Sequence, residues 1–194
     1  MRITITLVLF LVSAFHLSAQ NTLSVGYLGH VFIRPGVTLG LEIPLKTLER
    51  EKMDGEVEAV KTRQFFVRPS VGTFTRSRFY TSTLLDVAGG WNWNKSTSKF
   101  GSSLSFGFGV LAQNEVIRIQ TNFKGDITER DKELRGYFLP SIKYSLHKKL
   151  SENIGLYTQW SYGMKLSPTR VRSAIFFMEL GFRYSLQSKA PAND

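Results

Sequence analysis

From about residue 23 to residue 186 the chain alternates, two residues at a time, between apolar side chains and small or polar ones, and it does so in eight segments. A period of two puts the two chemistries on opposite faces of a β-strand, and no segment carries an apolar repeat at helical spacing. The last segment shows the pattern best. Ala174, Phe176, Met178, Leu180, Phe182, Tyr184 and Leu186 share one face, and Glu179, Gly181, Arg183 and Ser185 the other, with Ile175 and Phe177 as exceptions. Upstream, Leu104, Phe106, Phe108 and Val110 oppose Ser103, Ser105, Gly107 and Gly109. Ile154, Leu156, Trp160, Tyr162 and Met164 oppose Gly155, Gln159, Ser161 and Gly163. Val37, Leu39, Leu41, Ile43 and Leu45 oppose Thr38, Gly40, Glu42 and Lys46. The other four segments, around Val25, Val67, Val87 and Tyr144, split the same way.

The predicted strands are roughly ten to fifteen residues long, at about the length of a tilted membrane crossing. Turn chemistry separates them at Arg34-Pro35-Gly36, Arg76-Ser77-Arg78, Asn94 to Ser98, His147 to Glu152 and Ser167-Pro168-Thr169. Two charge-rich stretches, Thr47–Thr62 and Gln113–Leu134, read as longer connections, although alternation around Val116–Thr121 carries the fifth strand onward.

Alternation alone does not say which face is outside. A soluble ligand-binding barrel buries the apolar face, and a membrane barrel exposes it. The Gly- and Ser-rich face suits the crowded interior of an eight-stranded barrel, which side chains alone can fill. The apolar face carries Tyr27, Trp91, Trp93, Phe100, Trp160, Tyr162 and Tyr184 toward strand ends, as interfacial girdles require. The expected fold is therefore all-β: an antiparallel up-and-down transmembrane β-barrel of about eight strands.

The N-terminus reads as an address. One positive charge at Arg2 precedes the apolar run Ile3–Phe15, and small residues end at Ala19, which describes a secretory signal peptide. The expected layout is a signal peptide over 1–19, a barrel over 20–187 and a polar tail over 188–194. N-terminal sequencing of the mature protein should then begin at Gln20. After this segment no apolar run is long enough for a membrane helix. The chain has no cysteine, which excludes disulfides, thiolate metal sites and a cysteine nucleophile, and only three histidines. Lysine and arginine exceed aspartate and glutamate by 25 to 15, and loss of Arg2 lowers the net charge from +10 to +9.

Glu179-Leu180-Gly181-Phe182-Arg183-Tyr184-Ser185-Leu186 resembles the C-terminal sorting signal of outer-membrane barrels, with Glu179, Gly181, Tyr184 and Leu186 at its defining positions and Leu in place of the usual terminal aromatic. With the Pro35-Gly36 turn and Gly40-Leu41-Glu42-Ile43-Pro44-Leu45, the chain resembles small outer-membrane β-barrel proteins of Gram-negative bacteria. It looks like uncharacterised barrels of the Bacteroidota in particular. The resemblance implies a fold and an outer-membrane location, with the barrel-assembly machinery as a partner during biogenesis. It implies no activity.

Six charges fall on the small-residue face: Glu42, Asp86 and Glu179 against Arg68, Lys143 and Arg183. Unpaired charges in a narrow lumen are costly, so a mutually satisfied interior network is expected. Some small outer-membrane barrels are lipid-modifying enzymes, but Ser145-Leu146-His147, with Glu152 near only in sequence, has no matching third member on an adjacent strand, and His147 reads as an exposed turn residue. His30 reads as a rim hydrogen-bonding residue. No catalytic, cofactor or metal residues are expected. The excess charge, at Arg76, Arg78, Lys148, Lys149, Arg170 and Arg172, suits outer-membrane lipid and lipopolysaccharide phosphates rather than nucleic acid. The expected role is thus structural or surface interaction without catalysis, with a small-solute or ion pore as the first alternative and a lipid-modifying outer-membrane enzyme as the second.

Orientation raises a difficulty. With both chain ends in the periplasm, Gln113–Leu134 falls outside as it should. The long Thr47–Thr62 stretch then falls on the periplasmic side and the short Arg76–Arg78 turn outside, against the usual rule of short periplasmic turns.

Overall fold

A computed structural model describes residues 21–29, 35–54, 57–76, 80–121, 127–167 and 173–186. The expected signal peptide and tail, His30, Arg78, Arg170 and Arg172 lie outside the described residues. Eight strands run in chain order: β1 (Thr22–Gly29), β2 (Gly36–Asp54), β3 (Val57–Arg76), β4 (Tyr80–Lys95), β5 (Phe100–Thr121), β6 (Ile127–Lys149), β7 (Ile154–Lys165) and β8 (Ser173–Ser185). Each pairs antiparallel with its neighbour, and β1 pairs with β8 to close an up-and-down barrel. Closure leaves no unpaired edge around the ring itself, so its backbone satisfies itself without water.

The alternation faces as expected. Leu85, Val87, Phe106, Phe108, Val110, Leu180 and Phe182 point outward and are half or more exposed. The outward residues of β8 from Ala174 to Tyr184 cover about 34 Å of strand at ~3.4 Å per residue, or about 26 Å along the axis at a tilt of ~40°. That matches the roughly 25 Å apolar band of membrane barrels. Phe65 and Trp91 meet edge-to-face at 5.5 Å, and Tyr144 and Trp160 stack at 6.1 Å, near the chain-terminus end of this band.

Three expectations need correcting. The strands range from 8 to 23 residues, and the two polar stretches are hairpins rather than loops. β2 and β3 pair as far as Asp54 and Val57, projecting at the end that holds the chain termini. β5 and β6 pair as far as Thr121 and Ile127 at the opposite end. The strand count was therefore sound, and the orientation difficulty reflects a projecting β2–β3 hairpin. Polar residues at alternate and intervening positions suit a ribbon that has left both the lumen and the hydrocarbon band.

The second correction is a register shift between Pro44 and Lys46. Proline cannot donate to the ladder and often marks such a bulge. The extra residue flips the faces beyond it, so Lys46 pairs with Phe65 on the outward row instead of continuing the inward face of Thr38, Gly40 and Glu42. The third concerns His147, which lies within β6 on the inward face rather than in an exposed turn.

Candidate functional site

Inside the barrel the side chains form layers. Farthest from the chain termini, Leu28, Phe74, Leu84, Leu111, Tyr137, Leu139, Ile175 and Phe177 pack into one apolar cluster, with the Phe74 and Phe177 rings 5.2 Å apart. Ile175 and Phe177, the exceptions in the β8 pattern, face inward because this layer is apolar.

Below that layer lies Glu179, only 4% exposed. Its Oε1 accepts from Arg68 Nη2 at 3.0 Å, from Thr38 Oγ1 at 2.7 Å and from the Tyr157 hydroxyl, while Oε2 accepts from Gln159 Nε2 at 3.1 Å. Arg68 also donates through Nη1 to Gln159 Oε1 at 2.7 Å, and its guanidinium lies over the Tyr157 ring at 5.5 Å. At a similar depth Lys143 is ion-paired with Asp86, which Ser70 approaches at 3.4 Å. Toward the termini Arg183 Nη2 meets Glu42 Oε1 at 2.7 Å, and Asn92 Nδ2 donates to the same oxygen at 2.6 Å.

All six charges singled out in the sequence thus lie in the lumen as three ion pairs. Their partners differ from the simplest guess. Arg68 and Glu42, which their neighbouring strands suggest as a pair, each have another counter-ion.

Such bulky groups fit because glycines face them. A Cβ on Gly26 would sit 2.5 Å from the Tyr157 hydroxyl, and one on Gly107 would sit 2.8 Å from both Asp86 Oδ1 and Ser141 Oγ. The small residues of the inward face are thus the space in which the charged ones lie.

Tyr157, Asn92, Gln159 and Thr38 complete the network. Thr38 and Gln159 stand on the polar face of the sequence pattern, and Asn92 falls on the same face of the segment around Val87. The signal for Tyr157 was its phase, since it shares alternate positions with Gly155, Gln159 and Ser161. Its aromatic character hid it.

The lumen is filled. The void between the Glu179 and Asp86 groups and the apolar layer is about 20 Å³, bordered by Leu28, Ser141 and Phe177 among others. That is room for about one water. At the terminus end a polar mouth of about 240 Å³ opens above Glu42, Asn92 and Arg183. His147 Nε2 and Asn94 Oδ1 lie 2.8 Å apart in its wall, above Gly101, where a Cβ would strike both. Ser145 is buried two residues away, and no hydrogen bond links it to His147 among the described residues. Glu152 lines the same mouth but is not bonded to the imidazole. Of the four residues that resemble a sorting signal, Glu179 and Gly181 face the lumen and Tyr184 faces outward, while the Leu186 amide donates to the Asn21 carbonyl at 2.8 Å.

No protein-family model and no curated protein matches the chain. Among solved structures it is similar to Neisserial surface protein A, with a TM-score of 0.50 and 6% identity over 86% of this chain and 94% of that one. It also aligns with the outer membrane enzyme PagL, at a TM-score of 0.44 and 11% identity over 86% and 99% of the two chains. Ail, the attachment invasion locus protein of Yersinia pestis, aligns at a TM-score of 0.23 and 9% identity over 85% and 97%. At these identities the likeness concerns the fold, and the first match carries it: an eight-stranded barrel of the outer-membrane type.

Proposed function

We propose that this chain is an integral outer-membrane β-barrel with a structural or surface-interaction role in the envelope, and that it is neither an enzyme nor an open pore. The observation that carries this reading is the filled interior. Three ion pairs and their hydrogen-bonding neighbours are spent on one another, and an apolar layer closes the lumen beyond them. An apolar outer face of this extent would be a liability in water and is a requirement in lipid. The fold it shares with outer-membrane proteins supports the same location.

On this reading the partners are outer-membrane lipid, lipopolysaccharide and, during biogenesis, the machinery that recognises the last strand. Lysines such as Lys148 and Lys149 flank the barrel wall at its terminus end, where they favour phosphate over nucleic acid held away from any membrane. The mouth at His147 does not favour catalysis, because among the described residues no nucleophile is bonded to the imidazole there.

The test is refolding in detergent followed by electrophoresis with and without heating, and then by planar-bilayer recording. The expected result is heat-modifiable mobility without steady conductance. A stable open current would favour the pore, and a protein that stays soluble and unshifted would overturn the membrane assignment.

A further inference from the structure

The outward face near the chain termini is ordered in rows set by the strand register. Phe65, Trp91, Leu104, Tyr144 and Trp160 follow one another across β3 to β7. One step nearer the termini lie Leu48, Arg63, Trp93, Ser102 and Leu146. The next step pairs Arg50 with Lys61 and Lys61 with Lys95, and then Phe100 with Lys148. An apolar band thus passes through an aromatic row into a basic one, as a wall does when it leaves hydrocarbon and reaches headgroups.

No carboxylate falls in these rows. In the β2–β3 hairpin the charges are sorted by face. Arg50, Lys61 and Arg63 share the outward side, and Glu49 and Glu51, at the alternate positions, share the other. The bulge at Pro44 causes this sorting by shifting the phase of everything beyond it. Between the hairpin and the wall of β4 to β6 lies a groove of about 740 Å³. Leu48, Trp93, Phe100 and Leu146 form its apolar part, and Arg50, Lys61 and Arg63 line its basic side. The Arg63 guanidinium rests over the Trp93 ring at 5.7 Å, which joins the two halves.

We propose that this groove is a binding site for an anionic phospholipid of the leaflet on the side of the chain termini, with the phosphate among Arg50, Lys61 and Arg63 and an acyl chain along Trp93, Phe100 and Leu146. Guanidinium and ammonium groups over an apolar, aromatic floor match a molecule that is anionic at one end and aliphatic at the other. The projecting β2–β3 hairpin supplies the basic side of the groove, which gives the extension at the terminus end a task. This proposal rests on the membrane reading of the outer face, and the experiment separates the two.

Full-length mature protein is refolded into nanodiscs made from an equal mixture of phosphatidylglycerol and phosphatidylcholine. Lipids that remain bound after transfer to detergent are then identified by native mass spectrometry. The expected result is one retained phosphatidylglycerol in preference to phosphatidylcholine. Arg50→Gln, Lys61→Gln and Arg63→Gln together should weaken that preference by about a hundredfold, roughly a factor of five for each cation. Arg50→Lys with Arg63→Lys should keep most of it. Equal retention of both lipids, or an undiminished preference in the triple glutamine variant, would overturn the proposal and leave the membrane reading standing. Failure of the wild-type protein to insert into the nanodisc would overturn both.

Discussion

Replacing Glu179 with alanine should cost the barrel about 3–5 kcal/mol, because the Arg68 guanidinium would be left without its counter-ion in a water-poor lumen. The same change removes the acceptor for Thr38 Oγ1, the Tyr157 hydroxyl and one Gln159 donor. Arg68→Met should cost a similar amount by stranding the carboxylate. The double variant should lose much less than the sum of the two, since it removes both buried charges rather than orphaning one of them. Urea unfolding in detergent micelles reads all four proteins. Additive losses would mean that the two groups do not couple, and the interior would then need another explanation. The cycle belongs on Arg68 with Glu179, because Glu42 is held by Arg183 and Asn92. Neutralising Arg68 or Arg183 with a rise in bilayer conductance and unchanged stability would point to a gated path instead.

Arginine placed at Gly107 should abolish folding, whereas arginine at neighbouring Phe106 should cost about 2–4 kcal/mol, as for a cation near the bilayer midplane. The two positions differ by one residue and face opposite ways. Phe106 is half exposed on the outer band. Gly107 has Asp86 Oδ1 and Ser141 Oγ within 2.8 Å of where even a Cβ would stand, and the Lys143 chain lies at 3.2 Å. An arginine there would have to displace an ion pair from a stretch of lumen whose void holds about one water, and overpacking of that kind is not relieved by a rotamer change. Heat-modifiable mobility after refolding reports whether the barrel forms, and urea titration gives the cost where it does. A stable Gly107→Arg barrel, or a Phe106→Arg variant with no loss, would reverse the assignment of inside and outside.

Both results follow from a division of labour visible along single strands. In β5 the residues Leu104, Phe106, Phe108 and Val110 go to one side because side chains alternate in any extended chain, and nothing distant is needed to decide that. The same local rule announced eight strands, the small-residue face and the inward position of six charges. It carried Tyr157 inward too, although aromatic character argued otherwise. Where the rule broke, the cause was local but silent: a bulge at Pro44 moved Lys46 to the outer rows and sorted the hairpin charges beyond it, and two further register shifts interrupt β5 between Val116 and Thr121. A charge-rich composition likewise made Thr47–Thr62 look like a loop, because a two-stranded ribbon outside the lumen and the hydrocarbon band needs no continuous apolar face.

What the tertiary structure alone decided is which charge meets which. Arg68 on β3 and Glu179 on β8 are 111 residues apart, and Arg183 and Glu42 are 141 apart. Their meeting depends on how far each strand is staggered against the next and on the closure of β1 against β8. That stagger accumulates around the ring, so no segment contains it. Alternation is a property of each residue and its neighbours, and the sequence by itself therefore determined the faces. Partnership across a lumen is a property of the closed ring, and only the ring determined it.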